Sequence, residues 1–215
     1  MRFCSIASGS SGNCIYVGSD NTHVLVDIGI SGKKMETGLN SLELTGRDLD
    51  GILITHEHSD HIKGLGVISR KYGIPIYATA GTVDAMVRTN ALGKIPEGIF
   101  HEIQENEPFM INDLKVNPFT IPHDAAQPVG YRLEHEGHSV GIATDLGKYN
   151  DYIIENLQGL DALLLEANHD IRMLQVGKYP YYLKQRILGD RGHLSNENAG
   201  RLLCRLLHDN LKAIF

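Results

Sequence analysis

Several large protein classes are excluded by what this chain lacks. Its 215 residues hold three cysteines, Cys4, Cys14 and Cys204. So few, at such spacing, make neither a disulfide framework nor a cysteine metal site. They read as reduced thiols, used as small buried apolar residues. No apolar run approaches the length of a membrane span, and the N-terminus lacks the apolar core of a signal peptide. A soluble cytoplasmic protein without a membrane partner is expected. No Pro-rich or Ser-rich linker and no repeat period divides the chain, so a single domain over residues 1–215 follows. A cationic surplus is missing too. Lys and Arg number 20 against 26 Asp and Glu, a formal net charge of -6, which leaves no global field to recruit nucleic acid. Phosphate binding has to come from a local patch or from metals. The small residues at positions 8–12 form no P-loop, because no Gly-Lys-Ser/Thr follows them. They read as a flexible loop near the site.

What is present is concentrated in one place. The run His56-Glu57-His58-Ser59-Asp60-His61 follows an apolar stretch, Gly51-Ile52-Leu53-Ile54-Thr55, that reads as a buried strand. Three imidazoles and the Asp60 carboxylate at a strand end are the nitrogen and oxygen donors that zinc and similar divalent ions prefer. On a turn, His56 and His58 can face one way and Asp60 and His61 another. That divides the ligands between two adjacent ions, the geometry of two-metal hydrolysis.

The rest of the chain alternates strands and helices. Residues 14–17 and 23–28 read as a hairpin, 31–44 as a first helix and 52–55 as the strand before the metal turn. Helices are expected over 63–72, 82–92, 149–157, 181–188 and 196–207. Short strands are expected at 75–78 and 162–165. Antiparallel strands broken by Pro108, Asn112-Asp113 and Pro118 are expected over 100–121. A hairpin should join 129–133 to 139–144, and 211–215 looks like the beginning of a strand. The pattern alone supports an α/β or α+β class. Met and aromatic residues read as core filler.

The His-x-His-x-Asp-His run resembles the metallo-β-lactamase superfamily of metallohydrolases. Three further stretches narrow the resemblance to its YycJ/WalJ-like branch, near the phosphodiesterases and nucleases. They are Phe3-Cys4-Ser5-Ile6-Ala7-Ser8-Gly9-Ser10-Ser11-Gly12-Asn13, Leu165-Glu166-Ala167-Asn168-His169-Asp170 and Gly192-His193-Leu194-Ser195-Asn196. The resemblance covers essentially the whole chain and implies an αββα four-layer sandwich with metals at the sheet edge. It implies that His123, at the end of a strand, joins His56 and His58 on the first ion. It implies that Asp145 bridges to a second ion held by Asp60 and His61. Val26-Asp27-Ile28-Gly29 resembles the superfamily's first motif, whose aspartate supports a ligand histidine without binding metal.

The resemblance also implies that Glu166 orients His193 towards a scissile phosphate. His193, Glu166 and Asp60 are therefore the candidate catalytic residues. Ser195 reads as the cap of the following helix, and His169 as a residue behind the site or on substrate. The remaining histidines, at 23, 101, 135, 138 and 208, have no ligand-like spacing. The superfamily places a last ligand histidine on a strand after the final helices, and the chain stops at Phe215. The resemblance thus implies a domain truncated at its C-terminus, lacking its last strand and helix, with a weakened second site. Lys178, Lys184, Arg186 and Arg191 read as a phosphate contact or as a solvated helix face. Tyr179, Tyr181 and Tyr182 read as base-stacking or core residues.

The function implied is hydrolysis of phosphodiester bonds by a metal-bridging hydroxide. The substrate would be nucleic acid or another phosphodiester, with DNA exonuclease activity as the specific form. The cofactors would be two divalent ions, zinc or manganese. Two alternatives stand beside it: hydrolysis of a small ester, thioester or lactone by the same cage, and a non-catalytic partner-binding module on the same fold.

Overall fold

A strand inside a parallel sheet must be apolar on both faces, and residues 51–53 meet that requirement, each being buried. The computed structural model describes residues 1–215. The chain divides into two compact units, Met1–Pro118 with Ala125–Val129, and Phe119–Asp124 with Gly130–Phe215.

The first unit carries a six-stranded sheet in the order β1 (Arg2–Ala7), β2 (Cys14–Gly18), β3 (His23–Val26), β4 (Gly51–Leu53), β5 (Ile76–Thr79), β6 (Phe100–Ile103). β1 to β3 pair antiparallel; β3 to β6 pair parallel. Its helices are α1 (Gly32–Asn40), α2 (Ser59–Ile62), α3 (Leu65–Tyr72) and α4 (Ala80–Arg88). The core gathers Leu25, Ile28, Ile52, Ile54, Leu65 and Ile68, all nearly inaccessible. Each such side chain contributes about 1.5–3 kcal/mol by leaving water. α3 ends at Gly73, whose φ of 65° is the left-handed cap that glycine adopts without penalty. A hairpin of β7 (Phe109–Ile111) and β8 (Leu114–Thr120) follows.

Several expectations need correction here. β6 is parallel to β5 rather than part of an antiparallel set. The α4 crossover returns the chain to the same edge in the same direction, as parallel pairing requires. β8 runs through Pro118, whose carbonyl accepts the Asn106 amide at 2.7 Å; the fixed φ of proline suits an extended backbone. α1 stops at Asn40, and Glu43 takes a φ of 62° that no helix accommodates. The expected strands and helices did not include β1, α2 or α6 (Ile171–Val176).

In the second unit β9 (Val129–His135) and β10 (His138–Ala143) form the expected hairpin around Glu136-Gly137. β11 (Ala162–Leu165) pairs parallel to β10, and β12 (Ala213–Ile214) parallel to β11. α5 (Asp151–Leu157) and α8 (Asn196–Leu206) share a core of Ile153, Ile154, Leu157, Ala199, Leu202 and Leu206. The spacing of the last three is that of one helix face. α6 buries only Leu174, and α7 (Tyr181–Leu188) buries no residue. Cys14 is buried as expected, but Cys204 is exposed. Met173, Tyr179, Tyr181 and Tyr182 are likewise exposed and are not core filler. No helix is long and apolar enough to cross a membrane.

Asp161, just before β11, fastens β10 and β12 to it. Its carboxylate accepts the Ser139 amide at 2.9 Å and the Lys212 ammonium at 2.7 Å. The Lys212 hydrogen bond leads these in drawing its pKa down from 3.8 to about 2. A depressed carboxylate stabilises fully above its ordinary value, and the contribution is lost as pH falls towards about 2. Asp161→Asn should therefore lower stability in urea at pH 6, by about 1 kcal/mol or less at this solvent-screened site. The difference from wild type should shrink steadily between pH 4 and pH 2.

Candidate metal centre

The first unit places its donors at the carboxyl ends of β3 and β4, where ligand sites of open α/β sheets form. Asp27 follows β3 in the left-handed region, φ 62°, and is fully buried. Its amide donates to the Leu53 carbonyl at 2.9 Å, which locks the turn to β4. One carboxylate oxygen accepts the Thr55 amide at 2.9 Å; the other accepts the Thr55 hydroxyl and His61 Nδ1, each at 2.8 Å. With Nδ1–H committed to Asp27, His61 presents Nε2 as its lone-pair nitrogen. That atom has Asn13 Nδ2 at 3.1 Å and the Asp60 carboxylate at 3.7 Å.

Thr55 passes the same order to His56. Its hydroxyl donates to Asp27 and accepts His56 Nδ1–H at 3.0 Å, so His56 also presents Nε2. That nitrogen faces His58 Nδ1 at 3.1 Å. The rings of His56 and His58 lie 4.6 Å apart, and those of His56 and His61 4.1 Å apart. Two nitrogens each 2.0–2.1 Å from one tetrahedral zinc stand about 3.4 Å apart, so the spacing of this pair fits a shared cation. Glu57 turns elsewhere and accepts the Ala126 amide at 2.9 Å.

The turn is seated by backbone. Ile28 donates to the His61 carbonyl and Asn13 to the Asp60 carbonyl, both at 2.8 Å. Gly29 sits so close that a Cβ there would lie 1.6 Å from the Asp60 oxygen; no other residue fits.

The second unit repeats the placement at the ends of β10 and β11. Asp145 follows β10 with φ 53°, and Glu166 follows β11. Asp145, Glu166 and His193 offer ligand atoms within 4.8 Å of one another. His193 Nδ1 lies 2.6 Å from Glu166 Oε1 and 3.2 Å from Asp145 Oδ1. The other Glu166 oxygen accepts the amides of Leu146 at 2.8 Å and Leu194 at 3.2 Å. Burial opposes charge on His193, but the hydrogen bonds to Asp145 and Glu166 outweigh it and raise the pKa to about 10. The ring is an imidazolium at neutral pH, with Nε2–H free of those carboxylates. His123 donates Nδ1–H to the Gly192 carbonyl at 3.1 Å, its Nε2 lies 3.4 Å from Asp124 Oδ1, and its ring stands 5.3 Å from that of His193. Arg191 donates to the His123 carbonyl at 3.0 Å.

Among the sequence-predicted residues, the first unit thus gathers His56, His58, Asp60 and His61, and the second gathers His123, Asp145, Glu166 and His193. Ser195 caps α8 as expected, accepting from Asn198 at 3.2 Å. His169 closes on the same turn, its carbonyl accepting the Asn196 amide at 2.9 Å, while both its ring nitrogens are buried without a partner. Asn13 and Thr55 were not singled out as site residues, whereas Arg191 was read with the basic run as a phosphate contact or a solvated face. Thr55 adjoins the metal run, yet a hydroxyl there carries no spacing signal of its own.

A family model described as a beta-lactamase superfamily domain matches residues 22–211. The chain belongs to the β-lactamase superfamily. Two curated members are similar over all of its 215 residues. They are an exodeoxyribonuclease YycJ from Bacillus anthracis, 40% identical with 81% of that protein covered, and an exodeoxyribonuclease WalJ from Streptococcus pneumoniae serotype 2, 41% identical with 80% covered. Among solved structures, the metallo-β-lactamase fold protein YhfI from Bacillus subtilis matches with a TM-score of 0.71 at 17% identity, over 99% of this chain and 83% of that one. Zinc-bound PqqB from Methylobacterium extorquens matches with a TM-score of 0.69 at 17% identity, over 94% and 76%. The mixed α/β chain with its two sheets has the metallo-β-lactamase fold, and its superfamily and donor set support binding of divalent metal.

The Asp27 hydrogen bond sets the tautomer of His61. Asp27→Asn keeps the shape but directs an amide N–H₂ at Nδ1, moving the ring proton to Nε2. Zinc affinity in a calorimetric titration should fall by about 10–100-fold with the fold retained by circular dichroism. An unchanged affinity would remove His61 from the ligand set.

Proposed function

We propose that this chain is a metal-dependent phosphodiesterase acting on nucleic acid, with exonucleolytic cleavage of DNA as its specific activity. His56, His58 and His123 are assigned to one divalent ion. Asp60 and His61 are assigned to a second, and Asp145 is the carboxylate that would be shared between the two ions. Zinc suits the imidazole-rich donors, and manganese suits the carboxylates. Bound there, the ions supply Lewis acidity and neutralise charge on the phosphoryl oxygens.

The observation that carries the phosphodiester reading is the Asp145–His193–Glu166 cluster. Two carboxylates share one Nδ1–H, hold the ring as a cation and leave Nε2–H available. A fixed positive donor beside a metal cage suits a doubly oxygenated anion such as a phosphodiester and protonates a departing alkoxide. Glu166 acts through His193 as its positioning residue. Asp27 and Thr55 orient His61 and His56. The exodeoxyribonuclease names of the two curated relatives support a polynucleotide substrate. The three free thiols accord with a reducing, cytoplasmic setting.

Metal-loaded protein should hydrolyse bis-p-nitrophenyl phosphate, and His193→Ala should lower kcat by about a hundredfold or more. The active form is protonated His193, whose Nδ1–H is held by Glu166 at 2.6 Å, so activity should fall on the alkaline side of the pH profile. Glu166→Gln removes that charge and should move the alkaline limb downward. Faster turnover of a thioester than of the phosphodiester in parallel assays would transfer the chain to the small-ester alternative. Turnover of neither would favour a binding module.

A further inference from the structure

Three tyrosines within four residues, Tyr179, Tyr181 and Tyr182, are exposed to 58%, 77% and 73%. They lie where α6 gives way to α7, a helix that buries nothing. Such a segment spends apolar surface on water without packing a core, so it needs an occupant. We propose that residues 171–191 form a stacking platform for single-stranded nucleic acid, feeding the strand to His193; the inference rests on the phosphodiesterase reading above.

Charge selects the occupant. Between positions 171 and 191 the chain carries Arg172, Lys178, Lys184, Arg186 and Arg191 against one carboxylate of its own, Asp190, with Arg186 paired to Asp124, while the whole molecule is at -6. The cations flank the tyrosines instead of replacing them. Alternating aromatic faces and positive charge is the arrangement that lets bases stack while phosphates are neutralised, whatever the base sequence. Continuity gives the direction. Arg186 forks onto Asp124, and Arg191 donates to the carbonyl of His123. The His193 amide donates to the Ile187 carbonyl at 3.0 Å, and Gly192 donates to Gly189 at 2.8 Å. The loop leaving the platform is therefore bolted to both candidate site histidines of this unit. A Cβ on Gly192 would meet the Arg186 and Ile187 carbonyls at 2.2 and 2.3 Å, so the close approach is fixed by the backbone itself.

The test uses metal-loaded protein and a fluorescent phosphorothioate oligothymidylate that resists cleavage. The Kd of the double variant Tyr181→Ala/Tyr182→Ala should rise by about tenfold or more, while the Tyr→Phe double keeps the wild-type value, because the π-face and not the hydroxyl binds. Lys178→Gln with Lys184→Gln should flatten the dependence of log Kd on log salt by roughly one for each phosphate no longer neutralised. Thermal midpoints should stay at the wild-type value for side chains this exposed, which separates binding from misfolding. Unchanged affinity in the alanine variant would overturn the platform, as would an equal loss in the phenylalanine variant. So would wild-type self-association that the alanine variant abolishes while oligonucleotide affinity holds, since the face would then dock a second copy. Hydrolysis of bis-p-nitrophenyl phosphate by a wild type that binds no oligonucleotide would sink the platform and spare the phosphodiesterase. Tyrosine-dependent binding without any phosphodiester hydrolysis would do the reverse.

Discussion

The carboxylate of Asp27 is the group on which the first unit's donor set depends. It is wholly buried, and a buried charge is tolerable only when its lone pairs are filled. Three donors fill them: the Thr55 amide, the Thr55 hydroxyl and His61 Nδ1. Because the hydroxyl proton is spent on Asp27, Thr55 can only accept from His56, so one carboxylate fixes the tautomers of two imidazoles. The nitrogens left with a lone pair are thus chosen by the fold itself. Ordering that would otherwise weaken metal binding is met during folding, by bonds that also close β3 onto β4.

This dependence explains what was legible in the sequence. The metal run could be read because its chemistry is local: imidazoles at spacings of two and three after an apolar strand leave few other interpretations. His123, Asp145, Glu166 and His193 carry no such local signal and were read through family motifs. The fold class was legible locally, from buried runs such as Ala162–Leu165 alternating with helical spacing. Long-range pairing was not. That β6 lies parallel to β5 is decided by a crossover whose path no local pattern states. Asn13 reaches His61 across 48 residues, and a lone asparagine in a Gly/Ser-rich stretch gives no sign of it. The tyrosines at 179, 181 and 182 showed the limit most plainly, since core and stacking roles ask for the same residue type and only exposure separates them.

The second unit solves a different electrostatic problem with similar parts. His61 Nδ1 is tied to one carboxylate, which leaves Nε2 as its lone-pair nitrogen. His193 Nδ1 is tied to two, which favour its charged form. Burial alone would push the His193 ring towards the neutral form. The number and closeness of carboxylates on Nδ1 therefore distinguish the two histidines.

The two units build these arrangements from one short pattern. Val26-Asp27-Ile28-Gly29 and Thr144-Asp145-Leu146-Gly147 each follow a strand of a parallel pair. In each the aspartate takes a left-handed φ, 62° and 53°, which turns its carboxylate back onto an imidazole, of His61 in one case and His193 in the other. In each the glycine two residues on lies against a backbone carbonyl just before that imidazole. A Cβ would come within 1.6 Å of the Asp60 oxygen at Gly29, and within 2.3 Å of the Asp190 oxygen at Gly147. Aspartate tolerates the left-handed region better than most residues, at a cost of order 1–3 kcal/mol that the surrounding bonds must cover. The strain has a use: a strand continuing in extended geometry would carry the carboxylate away from the sheet end, and a residue larger than glycine would lift off the segment that carries the histidine. Aspartate and glycine two positions apart are thus one device for delivering an acceptor and its imidazole to the same point, and the chain uses it once for His61 and once for His193.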